Sequence, residues 1–406
     1  MNSFKGLLTI IMAGGKGERL YPLTRDKAKP AIIFGGIYRI IDFTLSNCLN
    51  SGIRRIYVLS QYGSFSLDQH LRLSWDLVRP ELGEYVYSIP PQQITVDRWY
   101  RGTADSIYQN LKLLDEERPR QVLILSGDHV YKMDYGAMLE FHQAKGADLT
   151  VAAVPAPRKE ASAFGILHVN ENQEVIEFLE KPPDPPGMPA NPDYSLVSMG
   201  VYVFESEELV RQLIADAKNP ESKHDFGRNI IPQMVGSKKV YAFSFEDPVT
   251  HTPRYWRDIG QLDAYFAAHM ELLGEEPVFD LFGGDWPIRG HVAPSPPAKY
   301  FSREKPVAVT DSLISAGCVL NETTVRRSVL SPRVQVGRGA LVEEAILWDG
   351  VKIGTGAKIK RAVIEDGVNI PPRFTIGYDR EADASRFPVT EGGIVVVPNN
   401  VILEGP

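Results

Sequence analysis

Residues 12–30 read MAGGKGERLYPLTRDKAKP and set Gly14, Gly15 and Gly17 beside Arg19 and Lys29, directly after the apolar run Leu7–Met12. Glycines let backbone N–H groups come close to a phosphate, and the two basic side chains add positive charge. The stretch is not a P-loop, because no Gly-Lys-Ser/Thr follows at the required spacing. A plain structural turn would also use glycine, but a basic loop of this length favours a polyphosphate.

Three more stretches carry groups that could do chemistry. LILSGDHVY, residues 123–131, puts Asp128 at the end of a buried strand, where a carboxylate can hold Mg²⁺ or simply cap a turn. EFLEKPPDPPGMPANP runs Glu180 and Lys181 into a proline-rich loop, and Lys181 there is either a phosphate ligand or a solvated side chain. YWRDIGQLDAYFAAH places Asp258 ahead of a helix whose apolar face carries Leu262, Phe266 and Leu273. Asp258 is either the cap of that helix or a second metal carboxylate.

The elements that must position these groups are readable from hydrophobic periodicity. Strands are expected at Leu7–Met12, Ile56–Ser60, Val122–Leu125, Leu149–Val154, Val175–Phe178 and Gly200–Phe204. Amphipathic helices are expected over residues 37–50, 104–114 and 206–218. This alternation implies an α/β domain with a mostly parallel sheet, in which ligands bind at the carboxyl ends of the strands. The loop after Leu7–Met12 lies at such an end.

After residue 274 the pattern changes. Residues 275–305 are rich in proline and glycine and read as a linker. Beyond them, Leu313, Val319 and Val325 are followed by Leu330, Val336 and Val342, then Leu347, Ile353 and Ile359, then Ile364, Ile370 and Ile376. Each position returns 17 residues later. Such a repeat implies a parallel β-helix over residues 306–406, each coil turning three aliphatic side chains inward. Acyltransferases also use this prism, but they need a positioned histidine, and none follows His291. The prism is therefore expected to be structural or regulatory.

Composition sets outer bounds. The 406 residues are 43% apolar and 23% charged, which fits a globular protein of two or three domains. A net charge of −7 argues against a general nucleic-acid binder, so basic clusters read as local anion sites. Cys48 and Cys318 lie far apart in apolar surroundings and read as buried thiols. No apolar run reaches the length of a membrane span, and the first residues lack a signal-peptide pattern. A cytoplasmic protein with no membrane or nucleic-acid partner is the expectation.

Taken together, Gly14-Gly15-x-Gly17-x-Arg19, Lys29-Pro30, Ser126-Gly127-Asp128, Glu180-Lys181-Pro182 and the terminal β-helix resemble the sugar-nucleotide pyrophosphorylases. FGGIYRIIDFTLSNCLNSGIRR, WYRGTADS, EASAFGILHV, HDFGRNIIP and YWRDIG narrow the resemblance to the glucose-1-phosphate adenylyltransferase family, essentially end to end. The resemblance implies a Rossmann-like nucleotidyltransferase domain over residues 1–274 and a left-handed hand for the β-helix. It implies ATP and glucose 1-phosphate as substrates, Mg²⁺ as cofactor, small-molecule effectors, a homotetramer and a place in glycogen synthesis. Arg19 and Lys29 match the family's triphosphate-contacting pair, and Asp128 and Asp258 its metal carboxylates. Gly14, Gly15, Gly17, Gln61, Gly102 and Thr103 match its ATP site. Tyr100, Gly165, Glu180, Lys181 and Ser198 match its glucose 1-phosphate site. Gln61 and Trp99 match positions tied to coupling between regulatory and substrate sites.

The chemistry agrees. A sugar phosphate, with a second pKa of about 6, is already ionised near pH 7 and needs no general base, and the motifs contain no histidine–carboxylate pair. Two other readings stay open at this stage: a sister enzyme using another nucleoside triphosphate, and a non-catalytic regulatory subunit. Regulation is where the chain departs from its relatives. Asp26 stands where members activated by fructose 1,6-bisphosphate carry lysine, Glu116 and Ile33 replace a basic residue and a histidine, and no Lys or Arg follows Arg386. Lys27, Arg39 and Arg333 remain as candidate effector contacts. Weak activation by fructose 1,6-bisphosphate and altered AMP inhibition are expected, with a singly phosphorylated sugar or a small acid such as pyruvate as activator.

Overall fold

The structure, a computed structural model, describes residues 4, 6–91 and 99–404. Its first sheet has nine strands and is mixed. Gln121–Ser126, Leu7–Ala13, Arg55–Ser60 and Tyr85–Ile89 lie side by side and parallel. The long strand Tyr194–Glu205 joins antiparallel to Gln121–Ser126 and carries the other strands, Leu149–Pro157, Gly165–Val169, Val175–Glu180 and Val240–Ser244, on its far side. Leu8, Ile10 and Ile11 on the central strand are all fully buried, which means that helices cover both faces of the sheet. All six expected strands form, and the parallel centre leaves the glycine loop at a carboxyl edge.

The helices depart more from expectation. The stretch 37–50 starts as a hairpin, Ile33–Phe34 against Tyr38–Arg39, and becomes helical only at Ile40–Asn50. Gly35 at φ 60° and Gly36 at φ 87° make the hairpin turn, a conformation that other residues rarely adopt. The stretch 104–114 divides into Thr103–Tyr108 and Leu111–Glu117, while Ser206–Ala217 forms as expected. Helices Ser64–Ser74 and Tyr135–Lys145 were not evident from periodicity.

From Lys299 onward the strands are short and parallel, and each pairs with the strand one coil later. This is the expected left-handed parallel β-helix. Its first paired strand, Lys299–Phe301, lies inside the expected linker. One detail of the repeat is corrected. Ile314 pairs with Leu330 and Leu320 with Val336, so that part of the first coil is one residue shorter than 17. Leu320 is therefore in the prism core, with Ile314 packed against it, where the sequence put Val319 and Leu313. A one-residue slip turns a strand's side chains to the opposite face, and Leu313 instead packs toward the first half of the chain.

The two halves share a core. Beside the inward row runs a second aliphatic row, Val329, Ile346, Val363 and Val396, which packs outward against Tyr265, Phe266 and Ile259. Each such side chain, fully buried, stabilises by roughly 1.5–3 kcal/mol, so the prism is welded to its neighbour rather than tethered. Polar contacts fix the direction: Trp348 Nε1 donates to Tyr265 Oη at 3.0 Å, and Tyr265 Oη donates to the Ile33 carbonyl at 2.7 Å. Both cysteines are free and buried, and burial pushes the Cys318 thiol up to about 11. Among the described residues no helix is long and apolar enough to cross a membrane.

Candidate active site

The glycine loop folds back on itself. Gly17 has φ 66°, and a Cβ there would stand 2.9 Å from Thr24 Cγ2 and 3.1 Å from Lys29 Cβ. Thr24 Oγ1 donates to the Gly17 carbonyl at 2.9 Å. Glycine at 17 thus lets the loop close over Lys29. Gly14 faces Gln61, whose Cβ would be 3.2 Å from a side chain at 14, and Gly15 is open to solvent.

Lys29 is drawn inward and its ammonium sits between two carboxylates, 2.7 Å from Asp128 Oδ2 and 3.1 Å from Asp258 Oδ1. Burial works to lower the Lys29 pKa, but the two carboxylates outweigh it and the pKa is raised. Burial likewise works to raise Asp128, yet Lys29 and then His129 hold its carboxyl well below the usual range. Asp258 does not cap the following helix, whose N-cap is Gln261. It ends a short strand, Trp256–Asp258, paired antiparallel with His129–Tyr131. Arg19 reaches the same place: a Cβ on Gly260 would lie 3.0 Å from Asp258 Oδ2 and 3.2 Å from Arg19 Nη2.

Above Asp128 opens a cleft of about 400 Å³ lined by Gly14, Gly15, Gln61, Tyr100, Gly102 and Thr103, all singled out from sequence. Gln61 is buried and accepts the Tyr100 backbone N–H at 3.0 Å. Gly102 is needed for close approach, since a Cβ would stand 2.3 Å from the His224 carbonyl oxygen. Thr103 Oγ1 donates to Asp225 Oδ2 at 3.0 Å and accepts the Phe226 N–H at 3.0 Å. Trp99 stacks on Tyr62 beside this cleft, with centroids 5.5 Å apart.

Gly165, Glu180, Lys181 and Ser198 gather on the neighbouring strands. Gly165 pairs with Glu180, whose carboxylate fits between Gly165 and Gly227, 3.0 and 2.5 Å from where their Cβ atoms would be. Burial raises the Glu180 pKa; Lys181 opposes this and Asp225 adds to it. Lys181 turns outward at φ 51°, with Nζ 3.4 Å from Glu180 Oε1. Ser198 precedes a bulge in Tyr194–Glu205, where the pairing register with Leu149–Pro157 shifts. The bulge carries Gly200, at φ 66°, toward Ser126 and His129.

Lys27, Arg39 and Arg333 lie elsewhere, at the seam with the prism. Lys27 Nζ is 2.7 Å from Asp366 Oδ1, and Arg333 pairs with Asp349. Burial lowers the Arg39 pKa, opposed by Asp42 and Asp366. Arg39 Nη1 and Asp349 Oδ1 are buried without hydrogen-bond partners among the described residues.

Sequence reasoning passed over His129. Its Nε2 lies 3.5 Å from Asp128 Oδ1 and 3.8 Å from Asp258 Oδ1. The expectation of no histidine beside the carboxylates is thus corrected; His129 follows Asp128 directly, but only the pairing with Asp258 turns it into the site. One ligand atom from each of Asp128, His129 and Asp258 lies within 4.8 Å of the others, a donor set able to hold a divalent cation.

The chain matches known proteins over both halves. A family described as "Nucleotidyl transferase" matches residues 8–275, and one described as "GlmU-like, C-terminal hexapeptide" matches residues 296–397. A "Glucose-1-phosphate adenylyltransferase" of Koribacter versatilis is 46% identical, covering 98% of this chain and 96% of its own. "Glucose-1-phosphate adenylyltransferase 1" of Alkalilimnicola ehrlichii is 50% identical over 96% of this chain and 93% of its own. "Glucose-1-phosphate adenylyltransferase 2" of Vibrio cholerae is 44% identical over 97% of this chain and 98% of its own.

Proposed function

The chain belongs to the glucose-1-phosphate adenylyltransferase family, and on that premise we propose that it transfers the adenylyl group of ATP to glucose 1-phosphate, giving ADP-glucose and pyrophosphate. The observation that carries this reading is the Lys29 ammonium clasped by Asp128 and Asp258 at the foot of the glycine-lined cleft. A cation already stands between the two carboxylates, and a third donor stands beside them, so the residues fit a divalent ion. Asp128 and Asp258 would hold that ion, Mg²⁺ in this reading, which supplies charge neutralisation at the phosphates where the bond breaks.

The other roles follow from charge and position. Gly14, Gly15 and Gly17 offer backbone N–H groups to the triphosphate, and Arg19 and Lys29 balance the charge of the departing pyrophosphate. Gln61, Gly102 and Thr103 bound the space for the nucleotide. Lys181 takes the phosphate of the sugar, and Glu180, Tyr100, Ser198 and the Gly165 backbone take its hydroxyls. The attacking oxygen is a phosphate oxygen, ionised at neutral pH, so these residues need only orient it in line. The reading extends to a catalytic part at residues 1–274, a linker at 275–305 and a β-helix at 306–406 that serves assembly and regulation. It also includes a cytoplasmic homotetramer, the committed step of glycogen synthesis, and effectors bound near Lys27, Arg39 and Arg333.

The test is pyrophosphate release from glucose 1-phosphate with each nucleoside triphosphate in turn and Mg²⁺. ATP should be strongly preferred, and Asp128→Asn should lose on the order of 10²–10³-fold or more, as when a group that stabilises developing charge is removed. Preference for another triphosphate, or no turnover with any, would overturn the assignment.

A further inference from the structure

We propose that His129 is a third ligand to the divalent cation, which makes this a mixed oxygen–nitrogen site rather than one of carboxylates alone. The proposal rests on the reading that Asp128 and Asp258 hold a metal. Three features of the histidine carry it.

First, the ring is aimed at the carboxylates yet is not hydrogen-bonded to them. Its Nε2 contacts, 3.5 and 3.8 Å, are longer than a hydrogen bond, while Lys29 makes the short ones. A distance of that size leaves room for an ion between the three donors. Second, the ring is 9% exposed and its Nδ1 has no hydrogen-bond partner among the described residues, so no bond from that side commits the imidazole to another role. Third, the ring cannot easily turn away. Trp256 abuts it edge-on, with centroids 5.1 Å apart at 78°, and Gly200 lies beside Cε1, where a Cβ would be in ordinary contact at 3.4 Å.

An imidazole nitrogen is a softer donor than a carboxylate oxygen and adds more affinity for first-row transition ions than for Mg²⁺. The consequence is a site that favours Mn²⁺ and Co²⁺ over Mg²⁺ beyond what two aspartates would give. His129 would then be a specificity-determining ligand, with its proton on Nδ1 and the Nε2 lone pair turned to the ion.

The full-length protein with Mn²⁺ and inorganic pyrophosphate, neither of which contains nitrogen, tests this by pulsed electron paramagnetic resonance. The expected result is a ¹⁴N coupling to bound Mn²⁺ that converts to a ¹⁵N pattern when histidine alone is ¹⁵N-labelled. This arm needs no variant. In His129→Gln, the coupling should vanish and the ratio of Mn²⁺ to Mg²⁺ affinity should fall about tenfold, the scale on which ligand environments tune a metal site. Bound Mn²⁺ without a histidine coupling, or an unchanged affinity ratio in His129→Gln, overturns the proposal. If Mn²⁺ binding is also lost in Asp128→Asn, the aspartate reading survives that failure. Mn²⁺ that does not bind the wild-type protein at all overturns both.

Discussion

Asp258 stands directly across from His129 in the two-strand ribbon that closes the site, and this register sets its carboxylate beside that of Asp128. Lys29 reaches both from a third segment, 99 residues from one and 229 from the other. Three charges that no local pattern links thus meet at one point, and most of the expected behaviour follows from their balance.

Lys29→Ala removes the ammonium held between the two carboxylates. Left alone, they repel each other across a partly buried gap. The variant should lose activity by roughly 10²-fold or more, because a group that balances phosphate charge is gone. It should also melt lower than the wild type without divalent metal and gain more from added Mg²⁺. Thermal melts with and without Mg²⁺ check this; equal shifts in the two proteins would show that Lys29 does not stand in for the metal.

Lys181→Ala should act on one substrate. Lys181 follows the strand Val175–Glu180 in a left-handed conformation, with its side chain half-exposed beside Glu180. If it holds the ground-state phosphate of the sugar, KM for glucose 1-phosphate rises while KM for ATP changes little. Steady-state kinetics with each substrate varied decide it, and a rise in KM for ATP alone would assign Lys181 to the wrong site.

Activation by fructose 1,6-bisphosphate should be weak or absent. A doubly phosphorylated sugar carries a charge of roughly −3 to −4. At the seam, Lys27 is taken by Asp366 and Arg333 by Asp349, while Asp26 pairs with Arg25. An incoming anion must displace carboxylates from these cations. Initial velocity at subsaturating ATP, with each effector added separately, checks the expectation. Strong activation at micromolar concentration would contradict it.

His269 should give the protein an acid-side weakness. The buried ring receives the Gly35 N–H on Nε2 at 3.1 Å and meets the Tyr265 carbonyl through Nδ1 at 2.8 Å. Only the neutral ring with its proton on Nδ1 can do both. Burial lowers its pKa from 6.5 to about 4, partly opposed by the Tyr265 carbonyl. Between those two values the unfolded chain binds the proton and the folded one does not, so stability falls as pH drops from about 6.5 to about 4, by up to roughly 3 kcal/mol. His269→Gln, which can keep one donor and one acceptor, should flatten that part of the pH–stability curve. Denaturant melts of both proteins from pH 4 to 7 measure the difference, and parallel curves would remove His269 as the cause.

Local pattern was enough for the strands, the glycine loop and the prism. Apolar runs such as Leu7–Ala13, broken only by the buried Thr9, announce strands because side chains buried on both faces leave little room for polar positions. A repeat of 17 announces coils because each must stack on the next. The resemblance carried residue assignments onto these elements, and the cleft that unites Gly14, Gln61, Tyr100 and Thr103 is consistent with them. Tertiary structure decided what depends on long-range register. The shortened first coil put Leu320 where Val319 was expected, because a strand's facing is set by its partner and not by its own spacing. The outward row Val329, Ile346 and Val363 looks like any aliphatic residue in a repeat until a helix covers it. His129 is the clearest case. In sequence it is only the residue after Asp128, and it enters the site because Asp258 pairs across from it and Trp256 packs against the ring. Periodicity reports which face is buried, whereas a site depends on which distant backbone lies alongside, and that is settled only when the chain packs.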